Sequence, residues 1–410
     1  MKMEKCKGFK DLPPQEMKKF RLIEDIFGST CQRWGYQEVR TPALEYLYLF
    51  TSAGTLTPGM LRKVYSFLDW DGWSGERVVL KPDGTIPVAR FYIDNLKEGL
   101  ARLFYVTNVF IFEETGKKSR ERWQCGAELI GENLVVADVE LIALALDVLQ
   151  RLGLTDVKVR LSHAGLIRIL LDEMELPHQE KSRIFDKILD GDLKTLANIR
   201  QDKTELMQVL SLLLKLKGKS PGLLKNIKVI SAKKLPGFKP SLDNFIGIVE
   251  LLEEMGCDYR IDLASGKGFE YYTGIIFHLS TGREIIGGGG RYDELIPQMG
   301  GRDTPAAGFA LYMDSLMQVM KTEDIEEPIT NRVLLSITPE AIKEGFEIAA
   351  MIRKAGMTVE LDLEGQQEIE YGWLVEIRAE SPVFVVTNRV DGSKSAVDSA
   401  GNVLALLGCN

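Results

Sequence analysis

The chain has 410 residues, which predicts two or three domains that each bury a hydrophobic core of their own. Asp and Glu number 59 against 51 Lys and Arg, a net charge of −8, and 45% of the residues are hydrophobic. This composition is typical of a globular protein and excludes a disordered chain, a disulfide-stapled mini-domain and a generally basic nucleic-acid-binding coat. The five cysteines are scattered without C-x-x-C spacing, and the three histidines share no metal-like spacing, so we expect a reducing compartment and no metal site.

The N-terminal segment is charged throughout and lacks the apolar stretch of a secretory signal. No run of about 18 apolar residues occurs in the chain, so we expect no membrane-spanning helix. Together with the cysteine pattern, these features favour a cytoplasmic protein.

The first half of the chain contains two strong helical patterns and several strand patterns. Apolar residues recur at steps of three and four between Pro14 and Trp34, which predicts an amphipathic helix ending at Gly35. Strand composition is found at residues 37–40, 62–67, 77–81 and 101–112. We expect the last three of these strands to form an antiparallel sheet. A second helix is predicted over 136–153, followed by a strand over 156–161.

A segment of different character follows. Residues of roughly 165–250 show helical periodicity and few aromatic side chains, which predicts a helical insertion. Eight lysines lie between Lys215 and Lys239 without one Asp or Glu. They predict a solvated basic face or a surface for an acidic partner, with contact to RNA as the alternative.

Strand and glycine signals resume after Tyr259, and a helix is expected from about 308 to 321. The acidic, proline-containing segment TEDIEEP indicates a linker, which we place at 323–330. The expected domains are therefore a core over 1–322 and a second domain over 331–410. The strand–helix–strand pattern of this last part predicts a small α/β domain.

Several short motifs carry residue types that suit a polar, ring-bearing ligand. The glycine run 287–290 lets another group lie directly on the backbone, although a glycine-rich bend within a sheet is an equal alternative. GFEYYTG places tyrosines beside glycines, either as a wall for a ring or as ordinary core residues. LKPDGT offers a carboxylate and a hydroxyl around a tight turn, and WQCGAELIG puts Gln124 and Glu128 on one face of a strand.

Taken together, these motifs resemble the core of class II aminoacyl-tRNA synthetases of the histidyl type, over about residues 6–320. The segments that carry the resemblance are KPDGT, NVFIFEE, WQCGAELIG, GFEYYTGIIF, GGGGRYDEL and TPAAGFAL. The resemblance implies an α+β fold in which an antiparallel sheet is flanked by helices, with a helical insertion and a small C-terminal α/β domain. It also implies that the segment RTPALE, at residues 40–45, helps to build a dimer.

The same resemblance implies a pocket for histidine. The implied histidine-binding residues are Asp83, Thr85, Gln124, Glu128, Lys267, Tyr271 and Tyr272. Carboxylates suit an α-ammonium and an imidazole N–H, and tyrosines suit the ring.

Three positions depart from the synthetase pattern. Ile111 and Ser315 stand where the synthetases carry arginines that bind ATP, and Lys267 replaces the arginine that polarises the carboxylate of the amino acid. Losing one transition-state donor of this kind costs about 2.7–4 kcal/mol, so we expect no catalytic residues and no cofactor. The alternative is that Lys118 or Arg120 supplies the missing charge.

One known family combines such a pocket with the loss of activation chemistry. The chain resembles the regulatory subunits of ATP phosphoribosyltransferase, paralogues of histidyl-tRNA synthetase that accompany a short-form catalytic subunit in the first step of histidine biosynthesis. The resemblance implies a non-catalytic, allosteric subunit that is required for full catalytic activity and for feedback inhibition by L-histidine. It further implies homodimers within a hetero-octamer of four regulatory and four catalytic chains.

Two other functions remain open at this point. One is a divergent histidyl-tRNA synthetase, an ATP-dependent histidine–tRNA ligase, and the other is a free-standing paralogue that binds an amino acid or RNA. Residues 331–410 contain 7 basic and 12 acidic side chains, a net charge of −5, which disfavours tRNA binding. His163, His178 and His278 are expected at surface or satisfied core positions, and Cys125 is expected to be a buried, inert thiol.

Overall fold

The structure is a computed structural model in which the chain divides into two compact units, Met1–Lys321 and Thr322–Asn410. The described residues are 4–52, 61–69, 75–113, 119–174, 177–189, 212–214, 217–231, 235, 237–263, 271–320, 329–362 and 370–409. Most of the predicted linker therefore lies outside the described residues. Across these ranges, no helix is both long enough and apolar enough to cross a membrane.

The first unit contains a nine-stranded sheet and a three-stranded sheet. Its strands are β1 (Gln37–Glu38), β2 (Leu44–Tyr46), β3 (Ser66–Leu68), β4 (Arg77–Leu80), β5 (Ala101–Phe110), β6 (Glu121–Ile130), β7 (Val157–His163), β8 (Lys217–Gly218), β9 (Tyr259–Asp262), β10 (Ile275–Thr281), β11 (Glu284–Arg291) and β12 (Ala306–Tyr312). Its helices are α1 (Pro14–Arg33), α2 (Leu47–Ser52), α3 (Thr85–Phe91), α4 (Val135–Arg151), α5 (Ala164–Glu173), α6 (His178–Leu189), α7 (Pro221–Ser231), α8 (Phe238–Glu254), α9 (Leu295–Gln298) and α10 (Met313–Val319).

The large sheet has the strand order β1-β5-β6-β12-β11-β10-β7-β9-β8. The central pairs from β5 to β7 are all antiparallel, whereas β1 pairs with β5, and β7 with β9, in parallel. Strands β2, β4 and β3 form the small antiparallel sheet. The predicted fold, an antiparallel sheet flanked by helices, is confirmed.

Helix α1 shows how the apolar pattern positions the first layer on the sheet. Pro14 occupies the first turn, where its missing N–H costs nothing, and Gly35 follows the helix with φ +81°. The helix buries Phe27 completely, with ring centroids 6.0 Å from Phe104 and 6.4 Å from Phe309. Burying one such ring stabilises the fold by about 1.5–3 kcal/mol.

The insertion is mainly helical where it is described, through helices α5 to α8, and it also contains the short strand β8. Four of its lysines form ion pairs within the chain rather than a free basic face: Lys217 with Asp262, Lys219 with Asp258, Lys225 with Glu250, and Lys228 with Asp243. These acidic partners lie on α8 and on or just before β9. Exposed pairs of this kind contribute little to stability, and each places an acidic side chain beside a lysine.

The helix predicted over 308–321 is wrong in its first part. Residues 306–312 form β12, which pairs with β6 on one side and β11 on the other, and only Met313–Val319 is helical. The sequence AAGFALY is almost uniformly buried and so shows neither the helical nor the strand period. Its place between two strands decides the conformation.

The second unit is built on a five-stranded sheet with the order β14-β13-β15-β16-β17. The strands are β13 (Arg332–Ile337), β14 (Thr358–Leu361), β15 (Trp373–Ile377), β16 (Phe384–Asn388) and β17 (Lys394–Val397), and the helices are α11 (Ile342–Lys354) and α12 (Ala400–Leu406). Strand β13 lies parallel to both of its neighbours. Helix α11 buries Ile348 and Ile352 in a core with Val333 and Leu335. The expected α/β pattern is present.

Candidate functional site

Six of the seven predicted pocket residues are buried in the first unit. Asp83 lies in the turn between β4 and α3, and Thr85 begins α3. Gln124 and Glu128 lie on one face of β6, as their spacing predicts. The tyrosine pair Tyr271–Tyr272 directly precedes β10. The seventh residue, Lys267, lies outside the described residues.

Glu128 is the centre of the pocket and is completely buried. Its Oε1 accepts hydrogen bonds from the Thr85 hydroxyl at 2.8 Å and from the Tyr105 hydroxyl at 3.2 Å. Its Oε2 accepts a hydrogen bond from the Tyr292 hydroxyl. Burial raises the pKa of Glu128 to about 8, although these hydroxyl donors oppose the rise. The group is therefore mostly protonated at neutral pH.

The two carboxylate oxygens of Asp83 have different partners, one in the backbone of α3 and one in the pocket. Oδ1 accepts a hydrogen bond from the Ile86 N–H at 3.0 Å, which caps the start of α3, and Oδ2 lies 3.5 Å from the Tyr271 hydroxyl. Burial raises the pKa of Asp83 to about 6. The adjacent Lys81 is also buried, with Nζ bonded to the hydroxyl of Thr41 at 3.1 Å and to its carbonyl oxygen at 3.2 Å. Burial lowers the pKa of Lys81 to about 8.

Gln124 has an unused acceptor. Its side chain is 7% exposed, and its Oε1 accepts no hydrogen bond from any residue in the described part of the chain. An unpaired buried acceptor costs about 1–3 kcal/mol. A ligand that brings an N–H or O–H donor to this oxygen would recover that cost.

Three tyrosines form the aromatic wall. The Tyr271 and Tyr272 rings lie 5.0 Å apart, and the Tyr271 and Tyr292 rings lie 5.5 Å apart, in both cases edge to face. Glycines make the room for these groups: a Cβ at Gly290 would lie 2.9 Å from the Tyr272 ring, and one at Gly308 would lie 1.6 Å from Glu128 Oε2. Residues 287–290 pair in continuous register with both β10 and β12, so the glycine run is part of a strand and not a bend.

Tyr105 and Tyr292 were not among the predicted site residues. Tyr292 lies within the GGGGRYDEL motif, so its proximity to the pocket could have been expected. Tyr105 pairs with Gly126 across β5 and β6, and a Cβ at Gly126 would lie 2.2 Å from the Tyr105 ring. A tyrosine opposite a glycine is a signal that depends on strand register, which the sequence does not reveal.

The two positions of the missing arginines carry no charge in the structure. Ile111 follows β5, and its N–H donates to the carbonyl oxygen of Arg120 at 2.9 Å. Ser315 lies on α10 and donates to Glu284 Oε1 at 2.9 Å. The guanidinium of Arg120 stacks on the ring of Phe112 at 4.3 Å and its Nε donates to a backbone carbonyl, so it is engaged within the protein. Lys118 lies outside the described residues.

The other singled-out side chains occupy structural positions. His163 is buried and its Nδ1 accepts from the Leu166 N–H, capping α5, while burial lowers its pKa to about 3. His278 is buried on β10, and the side chain of His178 is not described. Cys125 is completely buried and burial raises the pKa of its thiol, as expected for an inert cysteine.

The nine-stranded sheet, its flanking helices and the polar pocket on its central strands define a protein of the class II aminoacyl-tRNA synthetase type. Residues 8–316 match the histidyl-tRNA synthetase family. A structure of a histidyl-tRNA synthetase from Nostoc is similar in fold, with a TM-score of 0.75, 18% identity, and coverage of 100% of this chain and 99% of that one.

Relatives divide into two groups by name. A protein of Dehalococcoides mccartyi named ATP phosphoribosyltransferase regulatory subunit is 50% identical, with 98% of each chain covered. A histidine–tRNA ligase of Methanocaldococcus jannaschii is 36% identical, with 89% of this chain and 87% of the relative covered. A Bacillus halodurans structure described as an ATP phosphoribosyltransferase regulatory subunit/histidyl-tRNA synthetase has a TM-score of 0.77 and 27% identity, over 92% of this chain and 98% of that one. The chain belongs to the family of ATP phosphoribosyltransferase regulatory subunits, within the histidyl-tRNA synthetase-like proteins.

Proposed function

We propose that this protein is a non-catalytic subunit that regulates ATP phosphoribosyltransferase in the first step of histidine biosynthesis. It raises the activity of the short-form catalytic subunit and binds L-histidine for feedback inhibition. The observation that carries the proposal is a buried cluster of acceptors, namely Asp83, Glu128 and the unpaired Gln124 Oε1, in a chain without charge at positions 111 and 315.

Histidine matches the groups that converge in the pocket. Glu128 accepts an N–H from the imidazole, and the tyrosine wall encloses the ring. The α-ammonium donates to Asp83 and to the unpaired Oε1 of Gln124. Lys267 is assigned to the carboxylate because it stands where the synthetases carry an arginine.

Adenylation of histidine is not expected, because negative charge develops on the phosphates of ATP as the carboxylate attacks. Ile111 offers no charge there, and the Ser315 hydroxyl is already bonded to Glu284, an acidic residue. Arg120, the described alternative, is held by Phe112 and a backbone carbonyl. The pocket is thus suited to recognition without reaction.

The proposed partners are a second copy of the chain and the short-form catalytic subunit, in a cytoplasmic hetero-octamer. The small sheet offers a surface for the second copy: Leu44, Tyr46 and Phe67 share one face and are 45%, 38% and 46% exposed. Large exposed apolar patches mark interaction surfaces. Binding of tRNA is not expected, because four lysines of the insertion are neutralised within the chain.

Reconstitution tests this function. The purified chain is mixed with a short-form catalytic subunit, and turnover is measured with and without histidine. We expect a complex on gel filtration, higher turnover, and inhibition by histidine. Absence of a complex together with unchanged turnover would refute the proposal.

The 36% identity to a histidine–tRNA ligase favours a second candidate function, the ligation of histidine to tRNA. A ligase would catalyse histidine-dependent exchange of pyrophosphate with ATP, whereas the regulatory subunit would not. Placing arginines at the two uncharged positions, with Ile111→Arg and Ser315→Arg, gives the matched variant for this assay. Exchange by the unmodified chain would favour the ligase.

A further inference from the structure

A buried ion pair joins the end of β11 to the start of α4. Arg291 Nε lies 3.0 and 3.2 Å from the two carboxylate oxygens of Asp138, and the two residues are 5% and 2% exposed. Arg291 Nη1 also donates to the carbonyl oxygen of Glu132 at 3.1 Å and to Asp293 at 3.0 Å. One guanidinium therefore connects the end of β11 to α4 and to the loop before that helix.

The backbone of the same arginine holds the turn that follows the pocket tyrosines. The carbonyl oxygen of Arg291 accepts hydrogen bonds from the Thr273 N–H at 2.8 Å, the Gly274 N–H at 3.2 Å and the Thr273 hydroxyl at 3.4 Å. The Asp293 N–H donates to the same hydroxyl at 3.0 Å. Residues 273 and 274 directly follow the tyrosine pair, so the position of the Arg291 carbonyl oxygen constrains the position of the two tyrosines.

The two sets of contacts meet in a single residue. The residue before Arg291 is Gly290, on which the Tyr272 ring packs. A shift of the guanidinium relative to Asp138 would thus move the Arg291 carbonyl oxygen, which binds the turn at residues 273–274. It would also move the Gly290 backbone, on which the Tyr272 ring packs. Burying two charges contributes little net stability, whereas a planar guanidinium that donates through Nε and Nη1 to three groups fixes their relative orientation.

We propose that Arg291 and Asp138 are positioning residues that hold the Tyr271–Tyr272 wall in its ligand-binding place and connect it to helix α4. That this wall contacts histidine rests on the proposed function. The connection reaches the protein surface, because Leu134 and Val136 at the start of α4 are 60% and 62% exposed.

The test compares Asp138→Asn with a matched control on the same helix. Glu140 pairs with Arg102 of β5 at 2.8 and 3.0 Å, and so also joins α4 to the sheet, but it touches no pocket residue among those described. Glu140→Gln removes the same charge from a more exposed ion pair on the same helix, one that also accepts a hydrogen bond from the Tyr36 hydroxyl. Arg291→Lys is the second variant, because it keeps the buried charge but loses the planar guanidinium that donates from two nitrogens.

Three readouts are taken on the full-length chain. Hydrogen exchange of the Thr273 and Gly274 amides reports the turn without any ligand, calorimetry gives the histidine affinity, and the reconstituted complex gives activation and half-inhibition by histidine. We expect Asp138→Asn to speed exchange at both amides and to weaken histidine binding about tenfold, within the range usual for coupled sites. The free energy of unfolding of each variant is measured alongside, so that a change in binding is separated from a general loss of folded protein.

The outcomes separate this inference from the proposed function. Unchanged exchange and affinity in both Asp138→Asn and Arg291→Lys, or equal changes in Glu140→Gln, would overturn the positioning role. If the wild-type chain binds no histidine, the proposed ligand is wrong, and exchange at the two amides alone decides whether the ion pair holds the turn.

Discussion

Replacing Gly308 with alanine tests whether the Glu128 side chain needs a glycine at the opposite position on β12. Gly308 pairs with Glu128 on β6, and its added Cβ would lie 1.6 Å from Glu128 Oε2 and 2.8 Å from the carbonyl oxygen of Ala127. Neither atom is the free end of a flexible side chain, because Glu128 is held by three hydroxyls. Overpacking costs about 1–3 kcal/mol and a displaced buried hydrogen bond about 1–3 kcal/mol more, so we expect a loss of about 2–6 kcal/mol.

Urea denaturation gives the free energy of unfolding, and calorimetry gives the affinity for histidine. Gly28→Ala on helix α1 is the matched control, since its Cβ would lie 3.7 Å from the Phe104 ring, an ordinary contact. Alanine at this helical position should be neutral or stabilising by about 0.4–1 kcal/mol. The reasoning fails if Gly308→Ala costs less than about 1 kcal/mol and binds histidine as the wild type does.

Three further changes address the pocket and the core. The pKa of Glu128 is raised to about 8, so the folded state keeps this proton at a pH where the unfolded chain has lost it. The free energy of unfolding should therefore fall as the pH rises from 6 to 8. In denaturation measured at several pH values, Glu128→Gln should remove that dependence. Gln124→Met removes the unpaired acceptor, so calorimetry should show weaker histidine binding while denaturation shows stability unchanged or higher by about 1–3 kcal/mol. Phe27→Ala should lower stability by about 3–5 kcal/mol in thermal denaturation, because the ring is fully buried between two others.

The elements that the sequence predicts best are those with a clear period or a punctuating residue. Helix α1 was predicted between Pro14 and Gly35 and is found at Pro14–Arg33, because proline and glycine mark its ends. The predicted strand over 101–112 is found at Ala101–Phe110. Strand β12 was missed because a strand with neighbours on both sides and both faces covered shows no alternation, so only its pairing determines its conformation.

In the pocket, too, residues within one short motif are easier to predict than contacts between distant segments. Asp83 and Thr85 are implied by the resemblance to the synthetases, and both belong to the turn that begins helix α3. The three hydroxyls that bind Glu128 come from α3, from β5 and from the residue after β11, and the sequence places only that of Thr85 at the site. Hydroxyl contacts that span four segments depend on strand order, which a local pattern does not encode.

The polar cluster around Glu128 holds several unfavourable arrangements at once. Burial raises the pKa of both Asp83 and Glu128, and the Gln124 oxygen is unpaired within the described residues. Each of these costs is reduced by a ligand with cationic or N–H donors, because such a ligand pairs the oxygens and favours the ionised carboxylates. Stability given up at a site in this way is typical of binding sites, where neighbouring core residues compensate. Under the proposed function, an amino acid with an ammonium and an imidazole would relieve all three costs, which is the physical argument for histidine as the ligand.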